Sequence, residues 1–503
     1  MNRLATLLTT LLITASTWAA DIIVGPDGSL HDALRQAREW RRTNDHRCTG
    51  GIRIVLKGGR HVMSEPLFIR PEDSGTEDSP TLIVGTDGAT LCGDPPQHHT
   101  QLFPKEGMER LISFDAARHT ITIPTPPQSV LREKHLEMVV HQRWAIAILR
   151  VKEMTVRGSK TEVTFMEPES RLEFEHPWPQ PVVSGERGSS SFLLRTTEQR
   201  DGIEQLVRVE GTPDTPVRHV TFENLHFTNT CWNRPLHKGH VTLQGGFPII
   251  DAYKLQHEGL PWAATLENQA WVERPMAAVS VTWADHVDIR RCTFTHLAST
   301  ALDYVLGISD CTIADNTFRH IGGSAILAGS FAESPREVHR PYAHLAQLCQ
   351  RLTIRDNHIS EATNEDWGTV GIGCGYVRET VIERNEVSDV NYSGICVGWG
   401  WTPLYTGMER NRIIGNRVSR YARQLYDAGG IYTLSNQPGS VIADNTIDAP
   451  SVAPYATNDR AFRIYLDAET DGYTIRHNAT DHGALRREDI GDNHPGPSVR
   501  FEP

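Results

Sequence analysis

The chain has 503 residues, 39% hydrophobic and 22% charged, which is long for one compact core but suits an architecture that grows by repetition. Its 50 Lys and Arg against 62 Asp and Glu leave a net charge of −12, which disfavours nucleic acid or an anionic membrane surface as partner. Eight cysteines are too few for a disulfide framework, and with neither CxxC nor HExxH present no metal or other cofactor is expected.

Residues 1–20 read as a secretory signal: Arg3, an apolar run from Leu4 to Ile13, then small residues ending Trp18-Ala19-Ala20. The run is too short to span a bilayer, so the expectation is an exported protein, periplasmic or secreted, without membrane insertion. In residues 21–100, Ser29 to Arg42 carries Leu30, Ala33, Leu34, Ala37 and Trp40 at helical spacing, suited to a helix closing the open end of a coil. Strand-like alternation follows over 52–62, 66–70 and 81–85. Whether Cys48 and Cys92 pair is left open. Periodicity is lost over 101–205, which reads as a small inserted β domain. Residues 206–485 form the main repeat region, interrupted at 231–275 by a stretch with Trp232, Trp262 and Trp271, and 486–503 read as a C-terminal tail. Those three tryptophans are equally consistent with sugar stacking and with plain packing.

The repeat itself is an aliphatic residue, two variable residues, Asn, one residue and another apolar one. It runs Ile313..Asn316.Phe318, Ile354..Asn357.Ile359, Ile382..Asn385.Val387, Ile413..Asn416.Val418, Ile442..Asn445.Ile447 and Ile475..Asn478.Thr480. A looser copy surrounds Asn224, and Ile289..Cys292.Phe294 places Cys in the Asn position. From Asn357 the intervals are 28, 31, 29 and 33 residues, the period of a solenoid. Each copy holds short β-branched runs with period two and almost no helical spacing, so an all-β parallel β-helix with three strands per rung is predicted. In such a coil, stacked inward Asn side chains bond one another, a structural role. Asp315, Asp356 and Asp444, each just before a repeat Asn, are turn residues on this reading.

After each Asn turn comes a Gly-rich strand whose Ile326, Ile372, Ile395, Ile431 or Ile464 points inward. Alternation then turns Tyr432, Tyr465 and Asp467 outward, and Asp303 too if Leu302 takes the aligned apolar position. With Trp367, Trp399 and Trp401 nearby, such a face has the character of an extended sugar groove. The candidate carboxylates are Asp303, Glu365, Asp366, Asp427 and Asp467, because glycosidic cleavage needs one carboxyl to protonate the leaving oxygen and another to act as nucleophile or base. Asp427 lies four places before its Ile and Asp467 three after, so DAGG must fold back for the two to meet; otherwise Asp366 with Asp427 is the better pair.

The runs DWGTVGIGCGY (366–376), YSGICVGWGW (392–401), DAGGIYTLSNQPG (427–439) and IYLDAETDG (464–472) resemble glycoside hydrolase family 141, secreted right-handed β-helix proteins that include an α-L-fucosidase acting on complex pectin and a xylanase. The resemblance covers about 210–480 well and the earlier part more loosely. It implies a right-handed, pectate-lyase-like β-helix and a catalytic pair at Asp427 and Asp467. The chain departs from the pattern at Ala428, where Gly is more usual, and at Arg463; neither change removes a carboxylate. The leading expectation is an exported glycosidase acting on plant cell-wall oligosaccharides or polysaccharides, with catalytic Asp427, Asp467 and Asp366 and substrate-binding Asp303, Glu365, Trp367, Trp399, Trp401, Tyr432 and Tyr465. The rivals are a polysaccharide lyase, disfavoured because no lysine follows Lys254, and a non-catalytic glycan-binding solenoid.

Overall fold

The structure, a computed structural model, describes residues 20–93, 99–175, 181–183, 189–197, 201–253, 269–333, 336–337, 345–451 and 460–502. Most of the predicted signal and Trp262 lie outside these residues, as does the side chain of Trp271. The chain folds as a right-handed parallel β-helix, each rung contributing strands to three ladders. The first ladder stacks Ile326–Ala328, Ile372–Cys374, Ile395–Val397, Ala428–Thr433 and Ala461–Leu466 in parallel, with Leu302, Ile326, Ile372, Ile395, Ile431 and Ile464 in one column. Every member of that column is fully buried. A slip of one residue would turn the whole column outward, so the apolar positions themselves hold the register.

The second ladder includes Thr353–Arg355, Val381–Glu383, Arg412–Ile414 and Asn436–Ala443; the third includes His358–Ala362, Glu386–Val390, Arg417–Ser419 and Thr446–Ile447. Between them lies the asparagine turn. Asn316, Asn357, Asn385, Asn416, Asn445 and Asn478 are buried, and each of the first five donates through Nδ2 to Oδ1 of the next at 2.9–3.0 Å. The same amide also donates to a backbone carbonyl of the preceding rung, as Asn416 does to Ile382 at 2.8 Å. The amide alone among short side chains both accepts and donates in this way, which satisfies turn groups that water cannot reach. The residue just before each of these Asn is left-handed, φ being 59° at Asp315, 53° at Asp356 and 58° at Asp444. In the looser first copy Leu225, not Asn224, occupies the inward position: Phe222 and Phe227 align with Ile289 and Phe294, and Asn224 is an exposed left-handed turn residue.

Helix Leu30–Arg42, capped by the Ser29 hydroxyl at 3.1 Å from Asp32 N, lays Leu30, Ala33, Leu34, Ala37 and Trp40 on the first rung and closes the apolar core. At the other end the predicted tail, described to Glu502, is not loose. Ile490–Asp492 pairs with Ala461–Leu466 and Arg500–Glu502 with Asp471–Arg476, so they supply a further rung.

Between early and late rungs stands an antiparallel sheet built from strands between His99 and Thr197, joined by His240–Val241. It covers the outer face of the first ladder. A second apolar core forms there, in which Phe192, Leu194, Leu243 and Phe247 meet Leu327, Trp399, Tyr432, Leu434 and Tyr465. The solenoid is therefore packed on both sides of this ladder, where sequence alternation alone suggests an open groove. No helix among the described residues is long and apolar enough to cross a membrane.

Candidate active site

Asp427 has φ 62°, and this left-handed bend turns the chain immediately before strand Ala428–Thr433 begins. The strand pairs in register with Ala461–Leu466, placing Tyr432 beside Tyr465 with ring centroids 5.2 Å apart and nearly perpendicular. The two tyrosines cross between rungs. Tyr465 Oη donates to Asp427 Oδ1 at 2.9 Å, while Tyr432 Oη donates to Asp467 Oδ2. Asp427 and Asp467, 40 positions apart in sequence, are thus tied to the same tyrosine pair although DAGG does not fold back as the spacing argument required: Ala428 and Gly429 are extended and pair with Ala461 and Phe462, and only Asp427 is left-handed.

The environments of the two acids differ. Asp467 is 5% exposed and its other oxygen accepts from Asn493 Nδ2 at 2.7 Å. Asp427 has 13% of its side chain exposed, with Arg460 Nη1 at 3.7 Å from Oδ1. Burial, and then the nearby charge of Asp467, push the Asp427 carboxyl up to about 7, against the opposing pull of Tyr465, Arg460 and Arg143. Tyr392 Oη donates to Asp427 O at 2.9 Å, and Gln244 Nε2 donates to both Tyr392 Oη (2.5 Å) and Tyr432 Oη (3.1 Å). Gln244 thus holds two of the three hydroxyls around the acids, Tyr392 and Tyr432, in one polar network within an apolar wall.

The inserted sheet reaches this edge through a hairpin of Leu136–His141 and Ile146–Arg157. His141 Nε2 donates to Gln424 O at 2.7 Å and Tyr426 N donates to Arg143 O at 3.1 Å, so the hairpin tip docks on the residue before Asp427. Burial lowers the His141 imidazole to about 4, which keeps it neutral in this contact at ordinary pH. Arg143 is exposed at the tip.

The remaining predicted residues are placed differently from the expected open groove. Trp399 and Trp401 are 4% and 8% exposed and pack with Phe247 and Phe331 in the second core, so they are not an exposed stacking platform. Tyr432 and Tyr465 lie on the outward side of the strand but are buried; they hold carboxylates rather than facing solvent. Asp303 is likewise outward, yet Arg274 closes over it with Nε and Nη2 at 2.5 and 2.6 Å, which removes it from any groove. Asp366 is buried and bonded to His240 Nε2 at 2.7 Å. Glu365 is held by Arg195 Nη1 and His99 Nε2, both at 3.2 Å, and so fastens the inserted sheet to the coil. Trp367 is half-buried, its Nε1 donating to Asn364 O at 3.2 Å. Trp232 is 6% exposed and edge-on to His240.

Gln244, Asn493, Tyr392 and Arg460 were not among the sequence candidates. Tyr392 belongs to the recognisable YSGI run, but Gln244 and Asn493 sit in irregular segments with no period to mark them. Because Asp303 is fully buried, Arg274→Ala strands a charge, and a loss of roughly 3–5 kcal/mol in stability is expected, measurable by thermal unfolding. An Asp303→Asn, Arg274→Met double replacement should recover much of it.

Residues 98–200 match the family model of the GH141 insertion domain. A solved structure described as a glycoside hydrolase is 34% identical to this chain, covers 96% of it and 96% of its own length, and superposes with a TM-score of 0.89. More distant are XylC in complex with xylose (10% identity, 90% of this chain and 68% of that one, TM-score 0.42) and a mannuronic-acid-specific polysaccharide family 6 lyase from human gut microbiota (10%, 96% and 82%, 0.39). No curated protein matches significantly. Fold and likeness together define a glycosidase built on a parallel β-helix, acting on a carbohydrate substrate. The chain belongs to glycoside hydrolase family 141.

Proposed function

We propose that the protein is an exported glycosidase of plant cell-wall glycans, of pectic fucoside or xylan type, whose chemistry is carried by Asp427 and Asp467. The observation that carries this reading is the crossed bonding of two carboxylates by two tyrosines from neighbouring rungs. Asp427, poised near neutrality, is the acid that protonates the glycosidic oxygen. As it loses its proton, the Tyr465 hydroxyl and the Arg460 guanidinium stabilise the carboxylate that forms. Asp467, accepting through both oxygens, supplies the second carboxylate that hydrolysis needs at the anomeric carbon.

The test is a panel of aryl glycosides and of pectic and xylan oligosaccharides, with products resolved by mass, reducing end and anomer. A new reducing end supports the reading. An unsaturated product absorbing in the ultraviolet would replace it with a lyase, and sugar binding without turnover on any substrate would leave a binding solenoid. Export is checked by fractionating cells expressing the full chain: recovery of the uncleaved protein from the cytoplasm would overturn it.

A further inference from the structure

The turn that carries Asp427 is stacked on earlier turns of the coil. Asn391 N donates to Thr363 Oγ1 at 2.8 Å and Leu425 N to Asn391 O at 2.9 Å, so the segment at 363–369 and the one at 424–427 share an edge two rungs apart, about 10 Å at the usual strand spacing. The hairpin tip that touches Tyr426 also reaches the earlier turn: a Cβ built on Gly368 would lie 3.3 Å from Ala145 Cα.

Beside that earlier turn are two cavities, of 230 Å³ and 180 Å³, and Trp232 lines both. The floor of the larger is the buried pair His240 and Asp366. Its wall is a charged fork in which Glu273 meets Arg234 and, at 3.6 Å, Lys238 Nζ. Lys238 and Glu273 are 54% and 40% exposed and Met276 is 42% exposed, so this wall opens to solvent. The smaller cavity adds Glu365, Asn364 and the adjacent rings of His296 and His320, 4.9 Å apart. Arg234 Nε and His240 Nδ1 are buried without a hydrogen-bond partner among the described residues, and such groups are costly unless something else satisfies them.

An indole between a chamber walled by the Glu273, Arg234 and Lys238 pairs and one lined by Glu365, Asn364 and histidines suits a polyhydroxylated ring, since a hydroxyl donates to a carboxylate and accepts from a cation or an amide N–H. We propose that the two cavities around Trp232 form a glycan-binding site, two rungs from the Asp427–Asp467 pair on the same edge, that takes further sugar rings of the chain being cleaved. This rests on the glycosidase reading of that pair. Neither Lys238 nor Glu273 touches the acids, so the site changes how long substrates are held rather than the bond-breaking step.

Lys238→Ala and Glu273→Gln, both at exposed positions, are compared with the unaltered protein on aryl glycosides and on xylan and pectic oligosaccharides of increasing length. A rise in KM of about tenfold on the longer substrates, with kcat/KM on aryl glycosides unchanged, is expected, in line with the loss of one charged hydrogen bond. Equal kinetics of variants and parent on every length would overturn the proposal while leaving the glycosidase intact. Calorimetric titration of the same oligosaccharides into Asp427→Asn separates the two readings. Affinity lost on adding Lys238→Ala supports the site even if no substrate is turned over, and affinity unchanged by both replacements removes it.

Discussion

Asp427→Asn is expected to lower kcat by about 10²- to 10⁴-fold, the share usually carried by a positioned general acid. The amide keeps the shape of the side chain and an oxygen for the Tyr465 hydroxyl, so the loss belongs to proton transfer and not to a collapsed site. In the parent protein kcat/KM should fall as pH rises through about 7, because Asp427 works only with its proton on. The same group affects stability in a defined direction. Its carboxyl titrates near 3.8 in an unfolded chain and near 7 when folded, so between those values the folded state holds the extra proton. The stability it contributes is fully present below about 3.8 and is lost as pH rises through about 7. Asp427→Asn has no such loss. It should therefore melt above the parent at pH 8 and gain little at pH 4, as read by calorimetry across pH. A melting difference independent of pH would remove the buried-acid account, and full activity in the variant would remove Asp427 from the mechanism.

Asn416→Ala is expected to destabilise the coil by roughly 3–5 kcal/mol, since buried donors and acceptors left without partners cost about 1–3 kcal/mol each. Asn416 Oδ1 accepts from both N and Nδ2 of Asn385, at 2.9 Å each, and its own Nδ2 donates to Ile382 O and to Asn445 Oδ1. No water reaches these atoms to replace the amide. Asp444→Asn makes the control: the side chain is 58% exposed and Asn accepts the same left-handed backbone, so stability should change by less than about 0.5 kcal/mol. Equal effects of the two replacements in thermal unfolding would show that the asparagine column is not what holds the rungs together.

The core column of Ile326, Ile372, Ile395, Ile431 and Ile464 and the chain of asparagines were legible because each repeats at a period that only one stacked arrangement satisfies. The outward side of Tyr432, Tyr465 and Asp303 followed from strand alternation for the same reason. What alternation left open was what covers that side. Trp399 and Trp401 resemble stacking platforms in sequence, yet Phe247, from the interruption at 231–275, and Phe331 pack on Trp399, which in turn packs on Trp401. Asp303 reads as an available acid, yet Arg274, 29 residues away, neutralises it. These contacts come from aperiodic segments, and an aperiodic segment carries no mark of the rung on which it will land.

By itself the sequence determined a coil of three short strands per rung, its inward apolar column and its asparagine turn, because these depend on spacings within or between successive repeats. Only the tertiary structure decided that Asp427 and Asp467 meet through crossed tyrosines, that the inserted sheet buries the outer face, and that Asp366 belongs with His240. Those outcomes depend on a left-handed bend at one residue and on long-range docking of irregular segments, where many conformations are locally acceptable and packing against distant surface selects among them.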